Sequence, residues 1–120
     1  MYNGPMTYSG GCHCGAVRYE VEAEFTKAME CNCSHCSKKG FLLAFVPAEQ
    51  FTLLSGEDNL TEYRFNKKTI AHLFCKTCGM QSFGRGKRKD GTPTVMINLR
   101  CIEGLDLSTL ELSHVNGKDF

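Results

Sequence analysis

Between Ala16 and Glu24 apolar and polar side chains alternate without a break, Val17, Tyr19, Val21 and Ala23 against Arg18, Glu20, Glu22 and Glu24. Successive side chains of a strand point to opposite faces, so this stretch predicts a strand with one buried and one wet face. A second apolar run, Phe41 to Val46, is stopped by Pro47. Shorter candidates follow at Phe51 to Leu54, Leu60 to Phe65, Ile70 to Phe74, Met80 to Phe83 and Thr94 to Leu99, separated by turn signals such as Ser55-Gly56 and Asp90-Gly91. Short strands in this number predict an all-β or mostly β fold. Helical signals are brief: Ser34 to Lys39, Ala48 to Phe51, and Leu107 to Leu110 behind an Asp106 cap.

Composition narrows the class. The chain has 120 residues, 42% hydrophobic and 22% charged, with twelve Gly and three Pro. That suits one soluble, turn-rich domain spanning residues 1–120. No apolar run approaches the roughly 20 residues of a membrane helix, and Met1 to Gly11 lacks the build of a signal peptide, so a cytoplasmic location is expected. A formal net charge of +1 offers no global field for nucleic acid or an acidic membrane, which disfavours both as partners. Eight cysteines change the picture, because in a reducing compartment they are more often metal ligands than disulfides. A metal crosslink also suits a small chain whose short strands bury limited apolar area.

The cysteines are clustered. Cys12-His13-Cys14-Gly15 and Cys75-Lys76-Thr77-Cys78-Gly79 each place two sulfurs on a tight turn followed by Gly. Backbone N–H groups of such turns can point at the sulfurs, and Gly leaves the turn in the left-handed conformation without a Cβ clash. The two pairs together supply the four ligands of a closed, structural Zn2+ site and would pin the first strand to a later hairpin. Redox-active or merely buried cysteines are the competing reading.

Cys31-Asn32-Cys33-Ser34-His35-Cys36 differs: three sulfurs in six residues, with no fourth cysteine beside them. Three protein ligands leave a tetrahedral metal one open position, the mark of a catalytic site. Three thiolates outweigh the charge of zinc, so such a metal activates water poorly and is better suited to hold a substrate thiol as a nucleophilic thiolate, ready to attack an aldehyde carbon. The competing readings are a site closed by Cys101, His35 or His72, and a weak site that is empty on isolation.

Other residues carry less. Arg85-Gly86-Lys87-Arg88-Lys89 precedes an Asp-Gly turn, which reads as a solvated hairpin tip, or alternatively as an anion site. His35 either shapes its loop or serves a bound sulfur as hydrogen-bond donor or proton shuttle. His72 shares a strand face with Phe74 and reads as a packed histidine. Cys101 reads as a small buried hydrophobe. Phe41, Phe45, Phe65, Phe74 and Phe83 are most simply core residues. His13 and His114 carry no ligand signal of their own.

At these motifs the sequence resembles the glutathione-dependent formaldehyde-activating, or centromere-protein-V-like, family. The resemblance runs through Gly10-Gly11-Cys12-His13-Cys14-Gly15-Ala16-Val17, the middle cysteines with Gly40, Phe74-Cys75-Lys76-Thr77-Cys78-Gly79, Asn98-Leu99-Arg100-Cys101-Ile102-Glu103-Gly104-Leu105-Asp106-Leu107 and Asn116-Gly117-Lys118. It implies an Mss4-like zinc-binding fold of short antiparallel strands with minor short helices. It implies a structural zinc on Cys12, Cys14, Cys75 and Cys78, and a second, more labile zinc tied to activity on Cys31, Cys33 and Cys36. It further implies a carbon–sulfur lyase that joins a small thiol, glutathione, to formaldehyde or another aldehyde as an S-hydroxymethyl adduct. Family members commonly carry His and Arg where this chain has Asn32 and Ser37, positions that can orient a substrate. Two further function classes stand beside the enzyme: a glutathione carrier without catalysis, and a zinc-stabilised interaction module.

Overall fold

The structure is a computed structural model that describes residues 6–31, 42–63, 71–88 and 90–115. Among the described residues ten strands follow one another: β1 (Met6–Gly11), β2 (Arg18–Ala23), β3 (Lys27–Cys31), β4 (Leu43–Pro47), β5 (Phe51–Ser55), β6 (Leu60–Tyr63), β7 (Ala71–Cys75), β8 (Phe83–Lys87), β9 (Pro93–Asn98) and β10 (Glu111–Val115). They form a three-stranded sheet, β1-β2-β5, and a seven-stranded sheet, β10-β3-β4-β9-β8-β7-β6. All pairings are antiparallel except β10 with β3, which is parallel. The fold is therefore mostly β, as the alternation predicts, with short 3-10 turns at Ala48–Gln50, Glu57–Asn59, Leu99–Cys101 and Leu107–Thr109.

β2 follows its pattern closely. Val17, just before it, and Tyr19 and Val21 within it are fully buried, while Glu22 and Glu24 face water. Tyr19 meets Phe51 of β5 and Phe83 of β8, with ring centroids 5.0 and 5.7 Å away, and the Phe51 and Phe83 rings lie 4.8 Å apart. These tilted and edge-on rings join the two sheets, and burying each removes a large apolar surface from water. The Tyr19 hydroxyl does not go unpaired: it donates to the Ser82 carbonyl at 3.0 Å.

Three expectations need correction. The strand expected at Met80 to Phe83 begins only at Phe83, where Phe83 pairs Ile97. Before it, Met80 accepts from the Cys75 N–H, and the carbonyls of Gln81 and Ser82 accept from Asn98 and Tyr19, so this segment closes the cysteine turn before the ladder resumes. Phe45 is not a core residue, being 43% exposed. The two-residue period of β4 sends Val46 inward and Phe45 outward, to an open groove of about 680 Å³ beside Met29 and Pro47. The basic run is only in part a hairpin tip. Arg85 and Lys87 lie in β8, and the Arg85 guanidinium sits 5.5 Å from the Phe51 and Phe83 ring centroids, leaving Arg88 at the turn. Phe83 is fully buried and Phe74 half-buried; Phe41, Phe65, Lys89 and the 34–39 helical signal lie outside the described residues.

Candidate metal centre

The β1–β2 connection carries Cys12 and Cys14, and the turn after β7 carries Cys78 behind Cys75, the last residue of that strand. In sequence Cys14 and Cys75 are 61 positions apart, yet their sulfurs lie 3.6 Å from each other. Cys12 and Cys14 are also separated by 3.6 Å, and all four sulfurs of Cys12, Cys14, Cys75 and Cys78 fall within 4.8 Å of one another. Zn–S bonds of about 2.3 Å in a tetrahedron place sulfurs roughly 3.8 Å apart. The spacing fits, and the donor set is that of a closed zinc site.

Local backbone geometry builds this cluster. Gly15 and Gly79 take left-handed φ values of 84° and 78°, which turns the chain sharply after each cysteine pair. The Cys12 N–H donates to the Val17 carbonyl at 3.1 Å, and the Gly79 N–H donates to the Cys75 carbonyl at 2.8 Å. Each loop then aims N–H groups inward: Val17 donates to the Cys12 Sγ at 3.3 Å and Thr77 to the Cys75 Sγ at 3.4 Å.

Backbone donors tilt Cys75 and Cys78 toward thiolate. Backbone N–H groups of Cys14 and Met80 pull the Cys78 thiol down to about 6. Cys75 is held below its ordinary range by the N–H groups of Cys78 and Thr77. At Cys14 the Ala16 N–H also pulls down, but loss of hydration and the neighbouring sulfurs outweigh it and leave the thiol at about 11. Four sulfurs crowded together cannot all ionise without a cation among them. A divalent metal supplies that charge and takes up the remaining thiolates.

Neither His13 nor His72 joins the four-sulfur group. His13 is exposed on the first loop, and His72 is buried with its Nδ1 3.1 Å from the Gln81 side-chain nitrogen, the packed histidine that its strand position predicts. Cys101, on the Leu99–Cys101 turn, is half-buried and outside the four-sulfur group; burial, then the nearby Cys12 and Cys78, push its thiol up to about 11. It stays protonated at neutral pH. Cys31 closes β3 with its backbone opposite Val115, while its side chain, together with Asn32, Cys33, His35, Cys36 and Ser37, lies outside the described residues.

Sequence reasoning missed one contributor. Asn59, on the turn between β5 and β6, donates from Nδ2 to the Cys75 Sγ at 3.2 Å. The Ser55-Gly56 signal marks a turn there, but nothing in the spacing ties it to a cysteine sixteen positions later.

Comparison with known proteins agrees with this construction. A crystal structure of a Rhodobacter sphaeroides protein superposes with a TM-score of 0.75 at 32% sequence identity, covering 88% of this chain and 99% of that one. The family model described as glutathione-dependent formaldehyde-activating enzyme matches residues 7–111, a span holding all three cysteine groups. On that match the chain belongs to the glutathione-dependent formaldehyde-activating enzyme family.

Proposed function

We propose that this protein is a zinc-dependent carbon–sulfur lyase of the S-(hydroxymethyl)glutathione synthase type, acting on a small thiol and a small aldehyde in the cytoplasm. The observation that carries the reading is the convergence of Cys12, Cys14, Cys75 and Cys78 on one point. With these four able to complete a closed site among themselves, the sequence cluster Cys31, Cys33 and Cys36 is read as a second donor set, within a family match named for glutathione and formaldehyde. The second set has three sulfurs, so a zinc held by Cys31, Cys33 and Cys36 would have room for an incoming thiol and would lower its pKa. The reaction is a simple addition: the thiol sulfur bonds to the carbonyl carbon, the C=O π pair moves to oxygen, and the proton lost by sulfur ends on that oxygen. His35, between Cys33 and Cys36, is the nearest residue in sequence able to carry the proton.

The open groove between β3 and β4 is not assigned to glutathione. Its rim sets Glu22, Glu24 and Glu49 against Lys27, and a thiol bearing two carboxylates and one ammonium is repelled by that balance.

The test is formaldehyde consumption with glutathione present. The protein accelerates it above the spontaneous rate, and Cys33→Ser abolishes the acceleration while leaving the fold intact. Native mass spectrometry counts the metals and reports whether glutathione joins one. Saturable glutathione binding without acceleration would reassign the chain as a carrier. Two retained zincs indifferent to glutathione would make it an interaction module.

A further inference from the structure

The segment Ser55 to Asn59 touches both halves of the four-sulfur centre. On one side Ser55 Oγ donates to the Ala16 carbonyl at 3.4 Å, and Gly56 packs so tightly that an added Cβ would lie 2.4 Å from that same oxygen. On the other side the Asn59 carbonyl accepts from the Lys76 N–H at 2.8 Å, and Lys76 Nζ reaches the Asp58 carbonyl at 3.4 Å. The turn is thus clipped to the backbone of the second cysteine loop. Its own geometry is closed by the Asn59 N–H, which donates to the Gly56 carbonyl at 2.8 Å.

Held this way, the Asn59 side chain has little freedom. One Nδ2 hydrogen is directed to the Cys75 Sγ at 3.2 Å and the other to Thr77 Oγ1 at 3.1 Å. Apart from the sulfurs' contacts with one another, other donors to these sulfurs among the described residues are backbone N–H groups within the two loops. Four thiolates around Zn2+ carry a net charge of about −2, and each donor aimed at a sulfur disperses part of it. Cys75 is also nearly fully buried, so with Asn59 in place its sulfur depends on protein donors.

We infer that Asn59 is a positioning residue of the metal centre, orienting the Cys75 thiolate and setting how firmly the metal is kept. This goes beyond the proposed activity and does not depend on it.

The experiment follows metal retention in a Cys33→Ser background, so that the metal read out belongs to the four-sulfur centre. Release of zinc to a chromogenic chelator is timed, and the sulfur-to-metal charge-transfer band is recorded after cobalt substitution. Asn59→Ala releases zinc about 10–100-fold faster, in line with other outer hydrogen-bond partners of metal ligands. Its cobalt band moves to lower energy, because a sulfur without its hydrogen bond donates electrons more readily. Asn59→Asp keeps the size of the side chain but offers no donor, so it releases zinc at least as fast and decides the matter should the alanine variant fail to fold. Thr77→Val, which loses only the second contact, keeps the wild-type band. Unchanged release and an unshifted band in the Asn59 variants would overturn the inference, as would an equal band shift in Thr77→Val.

Discussion

Asp106 shows how one side chain organises a turn. Its Oδ1 accepts from the Ser108 N–H at 3.0 Å and from Ser108 Oγ at 2.6 Å, capping the 3-10 turn Leu107–Thr109. The Ser108 hydroxyl first, then the Ser108 N–H, hold the Asp106 carboxyl below its usual range. A carboxyl whose pKa is depressed in the folded state stabilises that state above its unfolded pKa, and the contribution disappears as pH falls through the folded value. Asp106→Ala therefore lowers Tm at neutral pH, and thermal melts of the variant and wild type converge on acidification. Asp106→Asn retains an acceptor and stays closer to wild type at neutral pH. This cap was legible in the sequence because its partners lie two residues away. So were Cys12 with Cys14 and Cys75 with Cys78, whose ligand spacing is short. The role of Asn59 was not legible, since its link to Cys75 exists only once β6 and β7 have paired, Leu60 opposite Cys75.

Elements were legible where one face is buried and the period shows it. β2 is the best case, and β5, β6, β7 and β9 fall close to the predicted runs. β1, β3 and β10 escaped, for different reasons. Met6–Gly11 alternates over only four residues before ending in two glycines, and Lys27–Cys31 has adjacent Ala28 and Met29 and no alternation. Glu111–Val115 is a strand because β3 lies beside it in parallel, a pairing about 84 positions long that leaves no local mark. β4 carries the lesson in its side chains: an apolar run does not say which members face the core. Phe83 closes the aromatic contact between the sheets, whereas Phe45 looks onto a groove. Phe83→Ala is expected to cost about 3–5 kcal/mol in chemical denaturation. Phe45→Ser should stay within about 0.5 kcal/mol of wild type. Equal losses would mean that the Phe45 face is covered in solution.

Across the whole molecule a metal held by the four-sulfur centre would act as a crosslink between the two sheets. Cys12 and Cys14 leave β1 for β2 in the smaller sheet, and Cys75 ends β7 in the larger one. Closing a loop of 61 positions removes chain entropy from the unfolded state, on the order of 4 kcal/mol by the argument used for covalent crosslinks. The aromatic contact of Tyr19, Phe51 and Phe83 joins the same two sheets by apolar burial, so loss of the metal weakens the junction without severing it. Cys75→Ser, or prolonged chelation, should lower Tm by roughly 10–20 °C. The proposed site on Cys31, Cys33 and Cys36 closes a loop of only a few residues, and crosslinking so short a span removes little entropy. Cys36→Ser is accordingly expected to abolish the glutathione-dependent activity with only a small change in Tm. Differential scanning calorimetry of both variants with zinc present checks the division. If Cys36→Ser destabilised the protein as much as Cys75→Ser, the middle cysteines would be a second fastening of the fold, and the assignment of chemistry to them would fail.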